Sequence, residues 1–279
     1  MLQVHNNNEL SAQIRDWKQQ GKTIAFVPTM GNLHEGHLSL LQHGREHADK
    51  LVSSIFVNPL QFDSKEDLTK YPRTIEQDCK SLMEHQCDLV YLPSEKDLYP
   101  VGIEHMTSIQ VPDITDRLES EYRPGHLTGV STIVLKLFNL VQPDIAVFGK
   151  KDYQQWRMIE KMVHDLNMGI DIIAGETIRE PDKLAMSSRN LYLSQPQHLI
   201  ATKLQQQLSH VAQEIRQGNT SFSTLAESAS NILQQASFEV DYFEICHQQT
   251  LQQASADDPL VILAAARLGN TRLIDNIEI

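Results

Sequence analysis

Apolar positions in the first two-thirds of the chain alternate between two patterns. Short runs over 23–29, 51–57, 88–92, 144–148 and 170–173 predict strands. Between and around them, 8–20, 36–48, 74–86, 129–141 and 153–166 carry helical spacing. Alternating strands and helices predict an α/β fold with a mostly parallel sheet covered by helices on both faces. In such sheets ligands bind at the carboxyl ends of the strands. After about residue 176 the pattern changes. Segments 195–217 and 223–236 read as polar helices, and 238–246, 259–266 and 271–277 as strands, with Gly269-Asn270 as a hairpin turn. Helices followed by hairpin-linked strands predict a smaller C-terminal α+β domain.

The most informative segment is Pro28-Thr29-Met30-Gly31-Asn32-Leu33-His34-Glu35-Gly36-His37, at the passage from the first strand to the second helix. There the first amides of the helix and its dipole favour an anion, so a phosphate is the expected ligand. Gly31 allows a left-handed turn, and Gly36 allows close approach of a ligand. His34 and His37 are one helical turn apart and can point the same way, as donors to a nucleotide triphosphate. The bland alternatives are helix capping, solvent exposure or a metal. His-Glu-Gly-His is one residue short of the His-Glu-x-x-His zinc pattern, and no Cys or third His stands nearby in zinc spacing.

Composition narrows the class. The 279 residues are 41% hydrophobic and 22% charged, as in an ordinary soluble globular protein of one or two domains. A net charge of −12 argues against nucleic acid or an anionic membrane as partner. Cys79, Cys87 and Cys246 lack disulfide or zinc spacing and fit a reducing cytoplasm. The polar N-terminus does not read as a signal peptide, and the longest apolar run falls far short of the ~20 residues of a membrane span.

Other segments become informative through convergence. Asn58-Pro59-Leu60-Gln61-Phe62 follows the second predicted strand, and Gly149-Lys150-Lys151-Asp152-Tyr153-Gln154-Gln155 the fourth. A lysine there neutralises phosphate, and Asp152 is placed to cap the helix at Tyr153. Met186-Ser187-Ser188-Arg189 combines hydroxyls and a guanidinium, a phosphate clamp or a simple capping turn. The amides of Asn58, Gln61 and Gln155 suit hydroxyl and carboxylate groups of a small polar substrate. Arg123-Pro124-Gly125-His126 is either a wall of the site or a plain turn.

Taken together and in order, these strings resemble the pantoate–β-alanine ligase (pantothenate synthetase) family. Tyr71-Pro72-Arg73-Thr74 and Lys136-Leu137-Phe138-Asn139 complete the set. The family is similar to class I aminoacyl-tRNA synthetases and other His-x-Gly-His nucleotidyltransferases. The resemblance implies a Rossmann-like doubly wound sheet over 1–176, a lid-like domain over 177–279, and a homodimer. It implies ATP with Mg²⁺ as cosubstrate, pantoate and β-alanine as substrates, and a pantoyl-adenylate intermediate, with AMP and pyrophosphate released. Residues 30–37, Gly149, Lys150, Lys151, Asp152, Ile178, Met186, Ser187, Ser188 and Arg189 would hold ATP. His37, His34, Lys151 and Arg189 would act in catalysis. Gln61 and Gln155 would hold pantoate, with Asn58 beside them and Gln61 also near β-alanine. The Mg²⁺ ligands stay open.

Two positions depart from the family pattern. Lys150 stands where Glu or Gln is usual, and Lys183 where Gly is usual. A left-handed turn at 183 would strain the lysine. Three other readings compete: a nucleotidylyltransferase that leaves AMP on its product, a tRNA-charging relative, and a non-catalytic nucleotide-binding subunit.

Overall fold

The computed structural model describes residues 1–62 and 65–279. It divides into two compact units. One contains Met1–Lys150 and Met158–Glu176, and the other Lys151–Arg157 and Thr177–Ile279.

The first unit runs β1 (Leu2–Val4), α1 (Asn7–Gln19), β2 (Ile24–Thr29), α2 (Glu35–His47), β3 (Lys50–Ile55), α3 (Lys65–Lys70), α4 (Ile75–Glu84) and β4 (Leu89–Tyr91). It continues through α5 (Glu95–Leu98), α6 (Glu119–Tyr122), α7 (His126–Val141), β5 (Ile145–Gly149), the part of α8 (Tyr153–Asp165) from Met158 onward, and β6 (Asp171–Gly175). The six strands are all parallel, in the order β1-β4-β3-β2-β5-β6. The order reverses beside β2, so the crevice between the carboxyl ends of β2 and β5 is the topological switch point.

Side-chain alternation along β2 explains why both faces are covered. Ala25 and Val27 join Leu38 and Leu41 of α2 and Leu82 of α4 in one buried cluster. Phe26 faces the other way, its ring 6.4 Å from that of Phe138 on α7. Burial on both faces makes the central strands continuous apolar runs, which is why they were legible in the sequence. β1 was not anticipated: three residues, paired with β4 from Leu2↔Leu89, carry no readable period.

In the second unit α9 (Gln195–Arg216) and α10 (Phe222–Gln235) cover an antiparallel sheet of β7 (Phe238–His247), β8 (Leu260–Leu268) and β9 (Thr271–Glu278). Leu204, Leu208 and Val211 of α9, Leu233 of α10 and Ile262 and Ala264 of β8 form its core. Gly269 supplies the positive φ, +60°, that the two-residue hairpin between β8 and β9 needs at its first position. Both the parallel α/β sheet and the smaller α+β unit agree with the expectation from sequence.

Candidate active site

The turn after β2 is built by its own histidines. Nδ1 of His34 accepts from the Gly36 amide at 3.1 Å, and Nδ1 of His37 accepts from the His34 amide at 3.3 Å. This is a reciprocal capping box made of two imidazoles. The rings lie 4.1 Å apart between centroids. Because each Nδ1 is an acceptor, the proton of each neutral ring sits on Nε2. Capping and donation are therefore compatible: one nitrogen of each ring holds the helix start, and the other carries the N–H.

Ahead of the helix, two backbone amides of this turn are bound within the protein. The Asn32 amide donates to Asp78 Oδ2 at 3.0 Å and the Leu33 amide to Asp78 Oδ1 at 2.8 Å. Asp78, on α4, is 2% exposed and also accepts from the Thr74 hydroxyl at 3.1 Å. Gly31 and Asn32 are both left-handed, at φ +82° and +51°. Nothing in the sequence near residue 32 points to a carboxylate on another helix.

The segment after β3 is also reassigned in part. Asn58 is 0% exposed. Its Nδ2 donates to the Gly129 carbonyl at 3.2 Å, and its Oδ1 accepts from the Tyr99 hydroxyl at 2.6 Å. Asn58 is thus a buried brace in this structure rather than an open substrate contact, because its amide is committed to α7 and Tyr99. Gln61 closes the 3-10 turn Pro59–Gln61 and is half-buried. Its carbonyl accepts from Arg123 Nη2 at 3.0 Å and from His126 Nδ1 at 2.9 Å. The Arg123–His126 segment holds the backbone of the Gln61 turn, a supporting role the sequence left undecided. Lys136 stands 5.9 Å from the Tyr99 ring centre, and burial lowers its pKa from the usual lysine value.

At the end of β5, Lys150 pairs with Glu176 at 2.6 Å. The unusual positive charge at this position is matched within its own unit. Asp152 is exposed and lies inside the 3-10 turn Lys150–Asp152, which leads straight into α8. The cap expected at Asp152 is replaced by that continuous turn.

The remaining expected residues, Lys151, Gln155, Ile178, Met186, Ser187, Ser188 and Arg189, belong to the second unit. The Lys151 carbonyl accepts from Asn276 Nδ2 at 3.1 Å, and the Tyr153 hydroxyl donates to Glu278 at 2.9 Å. These bonds tie the start of α8 to β9. Ile178 and Met186 face each other in a short hairpin, the Met186 amide donating to the Ile178 carbonyl at 3.0 Å. The Ser187 hydroxyl accepts from the Arg189 amide at 3.2 Å, capping the 3-10 turn Ser188–Tyr192. Its own O–H proton remains a donor, so capping does not remove it from chemistry.

The hairpin tip bears out the strain expected at Lys183. The Lys183 amide donates to the Glu180 carbonyl at 2.8 Å, closing a turn with Pro181 and Asp182 at its centre. Lys183 follows at φ +75°, the left-handed position of a three-residue hairpin loop. A side chain there costs ~1–2 kcal/mol, against ~0.5–1 kcal/mol for the extra unfolded-state freedom of glycine. Lys183→Gly is expected to stabilise the protein by ~0.5–1 kcal/mol. Urea unfolding checks this; an unchanged or lower midpoint would show that the loop bears no strain.

All three cysteines are free and buried, and burial pushes the Cys87 thiol up to about 12. No thiolate chemistry is implied. Among the described residues, no helix is long and apolar enough to cross a membrane.

A parallel sheet with a histidine-capped strand–turn–helix at its switch point defines a nucleotide-binding α/β enzyme class. Comparison with known proteins makes the assignment particular. Residues 3–278 match the family model described as pantoate-beta-alanine ligase. The pantothenate synthetase of Colwellia psychrerythraea is 50% identical, covering 100% of this chain and 99% of that protein. That of Aeromonas hydrophila is 49% identical, covering 99% and 97%. The crystal structure of pantothenate synthetase from Thermus thermophilus superposes with a TM-score of 0.92 at 38% identity, covering 100% of this chain and 99% of that one. The Francisella tularensis pantoate-beta-alanine ligase, solved with Beta-gamma ATP and β-alanine, gives 0.83 at 33% identity, covering 100% and 97%. The chain belongs to the pantoate–β-alanine ligase family. Its activity is the ATP-dependent condensation of pantoate with β-alanine to pantothenate.

Proposed function

We propose that the ligation runs through pantoyl adenylate. A carboxylate is a poor electrophile, so the pantoate carboxylate first attacks the α-phosphorus of ATP and pyrophosphate leaves. The β-alanine amine then attacks the acyl carbon, and AMP leaves with its bonding electron pair. Charge builds on the phosphate oxygens in the first step, and preorganised donors stabilise it.

In this reading residues 30–37, Gly149, Lys150, Lys151, Asp152, Ile178 and the 186–189 turn hold ATP. His34, His37, Lys151 and Arg189 stabilise the developing charge. Gln61 and Gln155 hold pantoate, and Asn58, with Arg123 and His126, braces the Gln61 turn from behind. The observation that carries the reading is the double imidazole cap, which fixes both rings with the proton on Nε2. Mg²⁺ arrives with ATP, and the triphosphate supplies most of its ligands. That fits a donor set of imidazole, ammonium, guanidinium and hydroxyl groups. Proximity drives the attack of the free β-alanine amine, for which no dedicated base is assigned. The β-alanine in the Francisella tularensis complex supports the substrate.

Residues 1–176 would bind nucleotide and pantoate, and 177–279 would form the lid-like domain. The family resemblance supports a homodimer. The three free cysteines support a cytoplasmic setting.

ATP–pyrophosphate exchange with Mg²⁺, in the absence of β-alanine, tests the proposal. Exchange should require pantoate, and adding β-alanine should yield AMP and pantothenate. Folded, ATP-binding protein that forms pantothenate yet shows no pantoate-dependent exchange would exclude a released pyrophosphate and a discrete adenylate.

A further inference from the structure

A strand–turn–helix normally offers its first amides to an external anion. In this turn an internal anion holds the two residues just ahead of the helix, whose N-cap is His34. The two oxygens of the Asp78 carboxylate accept the consecutive amides of Asn32 and Leu33, at 3.0 and 2.8 Å. Asp78 lies in the first turns of α4, where the helix dipole favours negative charge. Thr74, at the N-cap of α4, makes no cap bond with its side chain and instead donates its hydroxyl to Asp78 Oδ2 at 3.1 Å. A cap is thus forgone to hold the carboxylate in place.

The fit on the other side is equally tight. A Cβ on Gly31 would stand 3.0 Å from Asp78 Oδ2 and 3.0 Å from Ile55 Cγ2. The turn is wedged between Asp78 and the end of β3. Its left-handed pair, Gly31 and Asn32, has one amide of the pair and the next one along tethered to the same carboxylate. The residue after Leu33 is His34, the N-cap on which the imidazole box is built. Any rotation of the 31–33 backbone carries both rings with it.

We infer that Asp78 is a positioning residue for adenylation: its buried carboxylate clamps the two amides just ahead of the α2 N-cap and so sets the pose of His34 and His37. The inference rests on the proposed nucleotide role of those histidines. The nucleotide phosphates are then met at this turn by imidazole N–H groups, while the Asn32 and Leu33 amides serve Asp78.

Asp78→Asn keeps the volume and one acceptor oxygen but turns an NH₂ group toward one of the two amides. In the full chain, the pantoate-dependent exchange rate should fall by ~10–30-fold, as for a displaced donor. The KM for ATP should rise, and that for pantoate should stay within ~2-fold. Imidazole ¹⁵N spectra should show Nε2–H tautomers for His34 and His37 in the wild type and a mixed pattern in the variant. Asn32→Gly on the Asp78→Asn background should recover part of the rate, because glycine holds φ +51° without the tether. Thr74→Val loosens the same clamp more gently and should cost ~3-fold; it carries the test if Asp78→Asn fails to fold. Wild-type exchange and unchanged imidazole spectra in the folded variant would overturn the inference. So would a loss that matches only the fraction of unfolded protein. His37→Ala separates the two levels. If it abolishes exchange while Asp78→Asn does not, Asp78 alone is misassigned. If it leaves exchange intact, the histidine reading fails and the Asp78 inference with it.

Discussion

Replacing His37 with Gln should leave the fold intact and lower the ATP–pyrophosphate exchange rate by roughly 10²-fold or more. The two halves of this expectation come from the two ring nitrogens. Nδ1 accepts from the His34 amide, a helix-start bond of a kind worth ~1 kcal/mol. Gln at the third helical position is the usual residue for that bond and can restore it. Nε2 carries the proton that would be donated to the phosphate, and Gln does not reproduce that donor at the ring position. Loss of one preorganised donor in a closed site costs ~3–4 kcal/mol of transition-state stabilisation. His37→Ala removes both functions and should add a small loss of stability. Thermal unfolding and single-turnover adenylation separate the two. An undiminished rate in either variant would remove His37 from the chemistry.

Gly129→Ala should reduce kcat/KM for pantoate by about 10²-fold while destabilising the protein by ~1–3 kcal/mol. Gly129 sits in α7 with the 3-10 turn Pro59–Gln61 packed on it. A Cβ there would come 2.3 Å from the Leu60 carbonyl oxygen and 2.7 Å from its carbon. Backbone atoms cannot rotate away as a flexible side chain can, so the whole turn must shift. The overpacking cost, ~1–3 kcal/mol, is only partly offset by the ~1 kcal/mol that alanine gains over glycine inside a helix. The displacement of Gln61 is not offset. A 1 Å error at a substrate-holding residue is enough for a loss of the stated size. The shift should also break the bond from Asn58 Nδ2 to the Gly129 carbonyl, now 3.2 Å. Unaltered kcat/KM for pantoate in the variant would show that the 58–62 turn does not touch that substrate.

Both variants probe features with different visibility in the sequence. His34 and His37 stood out because spacing along one helix start is a local property. Gly129 did not, because an interior helical glycine is explained only by what packs against it. The same contrast holds for the loops. Lys183 is marked as a strained position only because the family pattern has Gly there, and φ +75° bears this out. Asp152 was read as a helix cap, yet the 3-10 turn beginning at Lys150 continues into α8 without one. Asn58 was read as a substrate amide, yet its side chain is fully enclosed. An asparagine in a loop looks the same in sequence whether it faces solvent or the Tyr99 hydroxyl.

By itself the sequence determined the long strands and helices, the change of pattern near residue 176, the hairpin at Gly269, and the family. These are carried by short-range periodicity, turn chemistry and the order of six motif strings, all written locally along the chain. The tertiary structure alone decided which groups hold those motifs in shape. Asp78 lies 46 residues from Asn32, Arg123 lies 62 from Gln61, and Gly129 lies 71 from Asn58. A hydrogen-bond partner at such separation is selected by how helices seat on the sheet, and no period or spacing near either residue records that choice.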